Sequence, residues 1–138
     1  MRVLVDTSVW SVAFRRAGSP LDIPQGRARL ELEKLLLNGR AQLLGVVRQE
    51  LLSGIRERAR YDRLLKLFRP FPDVPLQQED YERAASMHNL CRAHGIAGSS
   101  ADFLICAASA RRHWPILTID RDFTRYATCL PIVYYSGS

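Results

Sequence analysis

Five carboxylates stand beside or inside hydrophobic runs, where most of the 14 acidic residues do not. Asp6 follows Val3-Leu4-Val5, and Asp120 follows Ile116-Leu117-Thr118-Ile119, with Asp122 two residues further on. Glu50 lies between Val46-Val47 and Leu51-Leu52, and Asp102 precedes the almost wholly apolar Phe103-Leu104-Ile105-Cys106-Ala107-Ala108. Carboxylates that converge in a semi-buried place repel one another and lose hydration, a cost that a cation removes. An all-oxygen donor set without His or Cys suits a hard ion such as Mg2+ or Mn2+. One or two such ions at an open, basic-rimmed site can activate water and steady a phosphodiester leaving group. Taken singly, each acid has a structural explanation. Asp6 could cap a helix, Asp122 a turn before Phe123, and Glu50 could be an ordinary exposed helical residue. Ser99-Ser100-Ala101-Asp102 matches a capping box. The combination is what points to chemistry.

Elements of alternating type must position these acids. Arg2 to Val5 reads as a buried strand, and Asp6-Thr7-Ser8 as the cap of a helix over Val9 to Phe14. Gly18-Ser19-Pro20 and Pro24-Gln25-Gly26 bracket an expected loop. Ala28, Leu32, Leu35 and Leu36 keep helical spacing from Arg27 to Asn38, with Gly39 as the stop. Ala41 to Leu44 predicts a second strand, and Val46 to Gly54 a short helix carrying Glu50. Further helices are expected over Glu57 to Phe68, Gln77 to His94 and Ala101 to Arg112. Pro70, Pro72 and Pro75 frame an extended piece between the first two of these. Pro115 to Ile119 is the clearest strand, and Ile132 to Tyr134 the expected last one. Helices alternating with short hydrophobic strands imply an α/β domain with a mainly parallel sheet. Asp6 and Asp120 then fall at the carboxyl ends of strands, the edge where open parallel sheets bind ligands. If those strands are neighbours, the two carboxylates face each other.

At 138 residues and 15.7 kDa the chain suits a single domain spanning residues 1–138. No apolar run approaches the ~20 residues that cross a bilayer. Met1-Arg2-Val3-Leu4-Val5-Asp6 is too soon acidic for a secretory signal. A cytoplasmic protein without membrane association is the expectation. Net charge is +6, and apart from Lys34 and Lys66 the 20 basic residues are all arginine. Arginine's planar fork suits phosphate and a basic surface suits a polyanion, although a genome biased toward arginine codons would give the same composition. Cys91, Cys106 and Cys129 lack C-x-x-C spacing and read as free buried thiols. His88, Cys91 and His94 invite a zinc reading. On a helix, however, the two histidines lie ~9 Å apart along the axis, too far for one tetrahedral ion.

Val5-Asp6-Thr7-Ser8, Glu50-Leu51-Leu52-x-Gly54, Asp102-x-x-Ile105-x-Ala107-Ala108 and Thr118-x-Asp120-x-Asp122-Phe123 follow one another across nearly the whole chain. In that order they resemble the signature of the PIN-domain family. The resemblance implies a three-layer α/β/α fold and metal-dependent ribonuclease activity. At this length the chain is most similar to VapC-type toxins of toxin–antitoxin pairs. Asp6, Glu50, Asp102 and Asp120 match the family's acidic metal-binding and catalytic quartet, and Asp122 matches a more variable fifth acid. Thr7 or Ser8 matches a hydroxyl residue that orients the first carboxylate. Where many relatives have Ser or Thr before the Glu-bearing helix, this chain has Gly45-Val46-Val47. The implied partners are an RNA substrate, a VapB-like antitoxin and a second copy of the chain, and the implied cofactor is Mg2+ with Mn2+ as a substitute. The alternatives within the family are a housekeeping RNA-processing nuclease and a non-catalytic RNA-binding module. A receiver domain would need adjacent acids after the first strand and a late Lys. A haloacid-dehalogenase-like phosphatase would need Asp where Ser8 stands.

Overall fold

The computed structural model describes residues 1–15 and 18–137. Strand β1 (Val3–Val5) is buried along its whole length, as a strand covered on both faces must be. It lies between β2 (Ala41–Gln42) and β3 (Ile116–Leu117), parallel to both, in the order β2-β1-β3. The register pairs Val3 with Ala41, and Val5 with Leu117. Helices α1 (Thr7–Ala13) and α2 (Ile23–Leu37) connect β1 to β2. Helices α3 (Gly45–Ser53), α4 (Arg58–Phe68), α5 (Gln78–Ala93) and α6 (Ser100–Arg112) return the chain past β1 to β3. The first crossover runs from β1 out to β2 and the second from β2 back past β1 to β3; with the usual right hand, two crossovers in opposite directions place helices on both faces of the sheet. This is the three-layer α/β/α arrangement expected from the sequence. It puts the carboxyl ends of β1 and β3 side by side at the switch point.

Four local differences from the sequence reading have physical causes. The loop expected at Pro24-Gln25-Gly26 is the first turn of α2. Asp22 caps that helix reciprocally with Gln25, and Pro24 sits where a proline costs no hydrogen bond. The strand expected from Pro115 to Ile119 pairs only at Ile116–Leu117, because Thr118 turns its hydroxyl onto Asp6. The strand expected at Ile132–Tyr134 is a single parallel bridge between Tyr134 and Ile116. A helix the sequence reading missed, α7 (Asp122–Tyr126), begins two residues after Asp120, whose Oδ1 accepts the Asp122 amide at 2.9 Å.

The core fills from α6, where Phe103, Ile105, Cys106, Ala107 and Ala108 are all buried, together with Trp10, Phe68, Phe123 and Tyr126. Among the described residues two carboxylates are buried with it, Asp6 at the end of β1 and Asp80 on α5. Asp80 is fully buried and receives Arg111 Nη1 at 2.7 Å, Arg112 Nη1 and Nη2 at 2.7 and 2.9 Å, and the Gln77 amide at 2.8 Å. The Arg112 guanidinium holds the Asp80 carboxyl well below the usual carboxylate range, against the opposing effect of burial. A depressed acid contributes stability above its unfolded value of about 3.9 and loses it as pH falls further. Asp80→Ala should therefore cost about 3 kcal/mol at neutral pH, as breaking a buried pair does. The gap to the parent should narrow at pH 3, measured as urea midpoints at the two pH values. An equal gap at both would mean that packing, and not charge, holds α5 to α6.

Candidate active site

Asp6 leaves β1 in extended conformation and caps α1. Its Oδ2 collects the Ser8 amide at 3.3 Å, the Ser8 hydroxyl at 2.7 Å and the Thr118 hydroxyl at 2.8 Å. The same two hydroxyls accept from the next turn of chain: Ser8 Oγ from the Ile119 amide and Thr118 Oγ1 from the Asp120 amide. A small polar network thus ties the end of β1 to the end of β3 and fixes where Asp6 and Asp120 start. The structural reading of Asp6 holds, and it leaves one oxygen over. It caps the helix through one oxygen, and among the described residues no donor reaches the other.

Asp102, Asp120 and Asp122 each offer a carboxylate oxygen to one place, all within 4.8 Å of one another. Asp120 arrives from the end of β3, Asp122 from the first turn of α7 and Asp102 from the first turn of α6. The capping-box reading of Asp102 is half right. Ser99 caps α6 by accepting the Asp102 amide at 3.1 Å. The Asp102 carboxylate does not return to Ser99. Its Oδ2 accepts the Tyr126 hydroxyl at 2.6 Å instead. Asp122 also pairs with Arg125 at 2.9 Å, a half-exposed contact of little energetic weight.

Glu50 and Asp6 stand outside that trio of oxygens but within its field. Burial raises the Asp102 carboxyl above its ordinary value, the Tyr126 bond opposes the rise, and Asp6 and Asp120 push it up again. Burial likewise raises Glu50, Thr7 opposes, and Asp6 adds to the rise. Four of the acids singled out from sequence therefore share one electrostatic environment, and the fifth, Asp122, joins through the trio. The hydroxyls divide the work: Ser8 orients Asp6, while Thr7 Oγ1 reaches Glu50 Oε1 at 3.3 Å. Helix α3 has no side-chain cap, and a Cβ at Gly45 would come within 3.1 Å of Asp73 Oδ2. Glu50 takes its orientation from α1 instead.

The donor set fits a hard cation. Two oxygens bound to one Mg2+ at about 2.1 Å lie no more than ~4.2 Å apart, so small rotations would bring the trio into one coordination shell. The zinc reading finds no support in the geometry. His88 stacks on Phe103, His94 Nδ1 meets the Leu90 carbonyl, and Cys91 Sγ lies 3.1 Å from Cys129 Sγ. Sequence reasoning missed Tyr126 and left Thr118 without a role. The available signal for Tyr126 was its position three residues after Phe123, on one face of a short helix. A buried tyrosine there must find a partner for its hydroxyl.

The PIN-domain family model matches residues 3–128. No curated protein matches the chain by sequence. Among solved structures, FitAcB from Neisseria gonorrhoeae is similar at a TM-score of 0.73 and 20% identity, covering 96% of each chain. VapBC2 from Rickettsia felis, bound to a DNA fragment from its promoter, is similar at 0.72 and 15% identity, covering 98% of each. The chain belongs to the PIN-domain family, whose members are generally nucleases.

Proposed function

We propose that this chain is a metal-dependent endoribonuclease, acting as the toxin of a type II toxin–antitoxin pair and folding over residues 1–138 as one PIN domain. The observation that carries the reading is the meeting of Asp102, Asp120 and Asp122 oxygens within 4.8 Å at the switch-point edge, beside Asp6. Asp6, Glu50, Asp102 and Asp120 are the catalytic acids. Together with Asp122 they would hold Mg2+, or Mn2+ in its place. A cation there would supply charge neutralisation for the phosphodiester and acidify water. The chain's own contribution is placement. Ser8 and Thr118 fix Asp6, Thr7 fixes Glu50, and the Asp122 amide fixes Asp120.

Several arginines are committed to structure and do not serve a substrate. Arg48 binds Asp73 and the Phe68 and Phe71 carbonyls, and Arg111 and Arg112 bind Asp80. Arg15, Arg60 and Arg63 instead line, with Glu57, an open cleft of about 480 Å³ that also takes in Phe14, Leu64 and Leu67, which suits either a phosphate backbone or an acidic, apolar partner segment. The names of the structural neighbours, VapBC2 among them, support an antitoxin as that partner, and the family leads us to expect a homodimer in the cytoplasm. Among the described residues no helix is long and apolar enough to cross a membrane.

The test is cleavage of a labelled RNA and of the DNA of the same sequence, with Mg2+, with Mn2+ and with EDTA. RNA should be cut internally with either metal and left intact in EDTA. RNA left whole under every metal condition would remove the nuclease reading, and cleavage of DNA in preference to RNA would change the substrate.

A further inference from the structure

Asp102 depends on a residue that none of the four family motifs contains. Tyr126 is fully buried, and its ring packs between Phe103, at a centroid distance of 5.0 Å, and Phe123, at 5.2 Å. Its backbone carbonyl is held by the Cys129 and Leu130 amides at 3.1 and 2.9 Å. Ring and main chain are thus both fixed, and the hydroxyl is delivered to Asp102 Oδ2 at 2.6 Å. The approach is so close that it sets the residue opposite. A Cβ on Gly98 would lie 2.6 Å from the Tyr126 Oη and 2.8 Å from Phe103 Cε2 and Cζ. Gly98 has no left-handed backbone to explain it, so the space it leaves is what it contributes.

We infer that Tyr126 is a positioning residue for the metal site, with Gly98 as the gap that lets it reach. Its hydroxyl donates to one oxygen of Asp102 and so fixes the rotation of the whole carboxylate, including the direction in which the second oxygen points. The inference rests on the metal-nuclease reading. Outer partners that orient a ligand change metal affinity by roughly 10- to 100-fold when removed. Tyr126 also links the acids physically. It closes the same five-residue helix that Asp122 opens, so α7 supplies one ligand directly and steers another across the gap to α6.

The experiment is Mn2+ titration of metal-free protein, followed by electron paramagnetic resonance, for the parent and Tyr126→Phe, with melting curves in EDTA. Tyr126→Phe keeps both ring contacts and removes only the donor. It should bind Mn2+ roughly 10- to 100-fold more weakly while melting close to the parent, and its RNA cleavage should recover as Mn2+ is raised. Parent-like Mn2+ affinity in Tyr126→Phe would overturn the proposal, whatever the melting temperature. If Tyr126→Phe fails to fold, Gly98→Ala carries the same test, since it keeps the phenol and displaces it. A parent that binds no Mn2+ is a different failure and takes the metal-nuclease reading down with it. Weak binding in Tyr126→Phe that excess Mn2+ does not rescue would assign the hydroxyl to something other than holding Asp102, and the proposal would be wrong.

Discussion

Asp102→Asn should lower RNA cleavage by about 10³-fold or more, a loss of roughly 4 kcal/mol of transition-state stabilisation, and leave the fold standing. The expectation follows from what the substitution keeps. The Ser99 cap uses the backbone amide of residue 102, not its side chain. An asparagine's amide oxygen can still accept the Tyr126 hydroxyl. What is lost is a negative charge within 4.8 Å of Asp120 and Asp122 oxygens, and with it a hard ligand for a divalent cation. A purely structural Asp102 predicts the reverse pattern: full activity, and at most ~0.3–1 kcal/mol of lost charge–dipole stabilisation in the first turn of α6. Initial cleavage rates, circular dichroism and one melting curve separate the two. Activity within tenfold of the parent would return Asp102 to the helix cap.

The acids stood out in the sequence only in combination, since each taken singly had a structural explanation. A carboxylate directly after Val3-Leu4-Val5, or heading an apolar helix, is costly unless something else uses it. Parallel pairing was legible because β1 is apolar at every position. The chain between the acids was harder to read. The chain leaves the ladder after Leu117 despite the strand propensity of Ile116 to Ile119, and Thr118 there gives its hydroxyl to Asp6, 112 residues away. No local pattern reports that contact. Helix α7 was hidden for the opposite reason: at five residues it is too short to show a period. Asp120, whose side chain accepts its first amide, had already been read as chemistry. Pro24 and Gly26 looked like loop residues because both are turn formers. The Asp22–Gln25 reciprocal cap decided otherwise, and that signal was present in the sequence. Tyr126 shows the limit best. Its importance comes from the closeness of Gly98 and Asp102, and only the folded chain brings those three together.

Asp120 gives the sharpest test of the shared site, because here the structural and chemical roles predict opposite signs. Its Oδ1 accepts the Asp122 amide at the start of α7, and asparagine makes that bond about as well. As a cap alone, Asp120→Asn should be neutral or lose ~0.3–1 kcal/mol of charge–dipole stabilisation. As one of several crowded carboxylates it should behave otherwise. With EDTA present, removing its charge relieves repulsion from Asp102 and Asp122, so Asp120→Asn should melt above the parent. With Mg2+ the order should invert. An ion that binds only the folded protein adds about 2.7 kcal/mol at 100 times its dissociation constant, which for a chain of this size is on the order of 10 °C. The parent should gain that rise and Asp120→Asn should lose most of it. Four melting curves, two proteins each with EDTA or millimolar Mg2+, read both effects. A crossing of the order between the two conditions requires that one carboxylate be a burden without metal and a ligand with it. If Mg2+ instead moves both proteins equally, or neither, and Asp120→Asn melts lower in EDTA, then Asp120 serves α7 alone and any cation would have to be held without it.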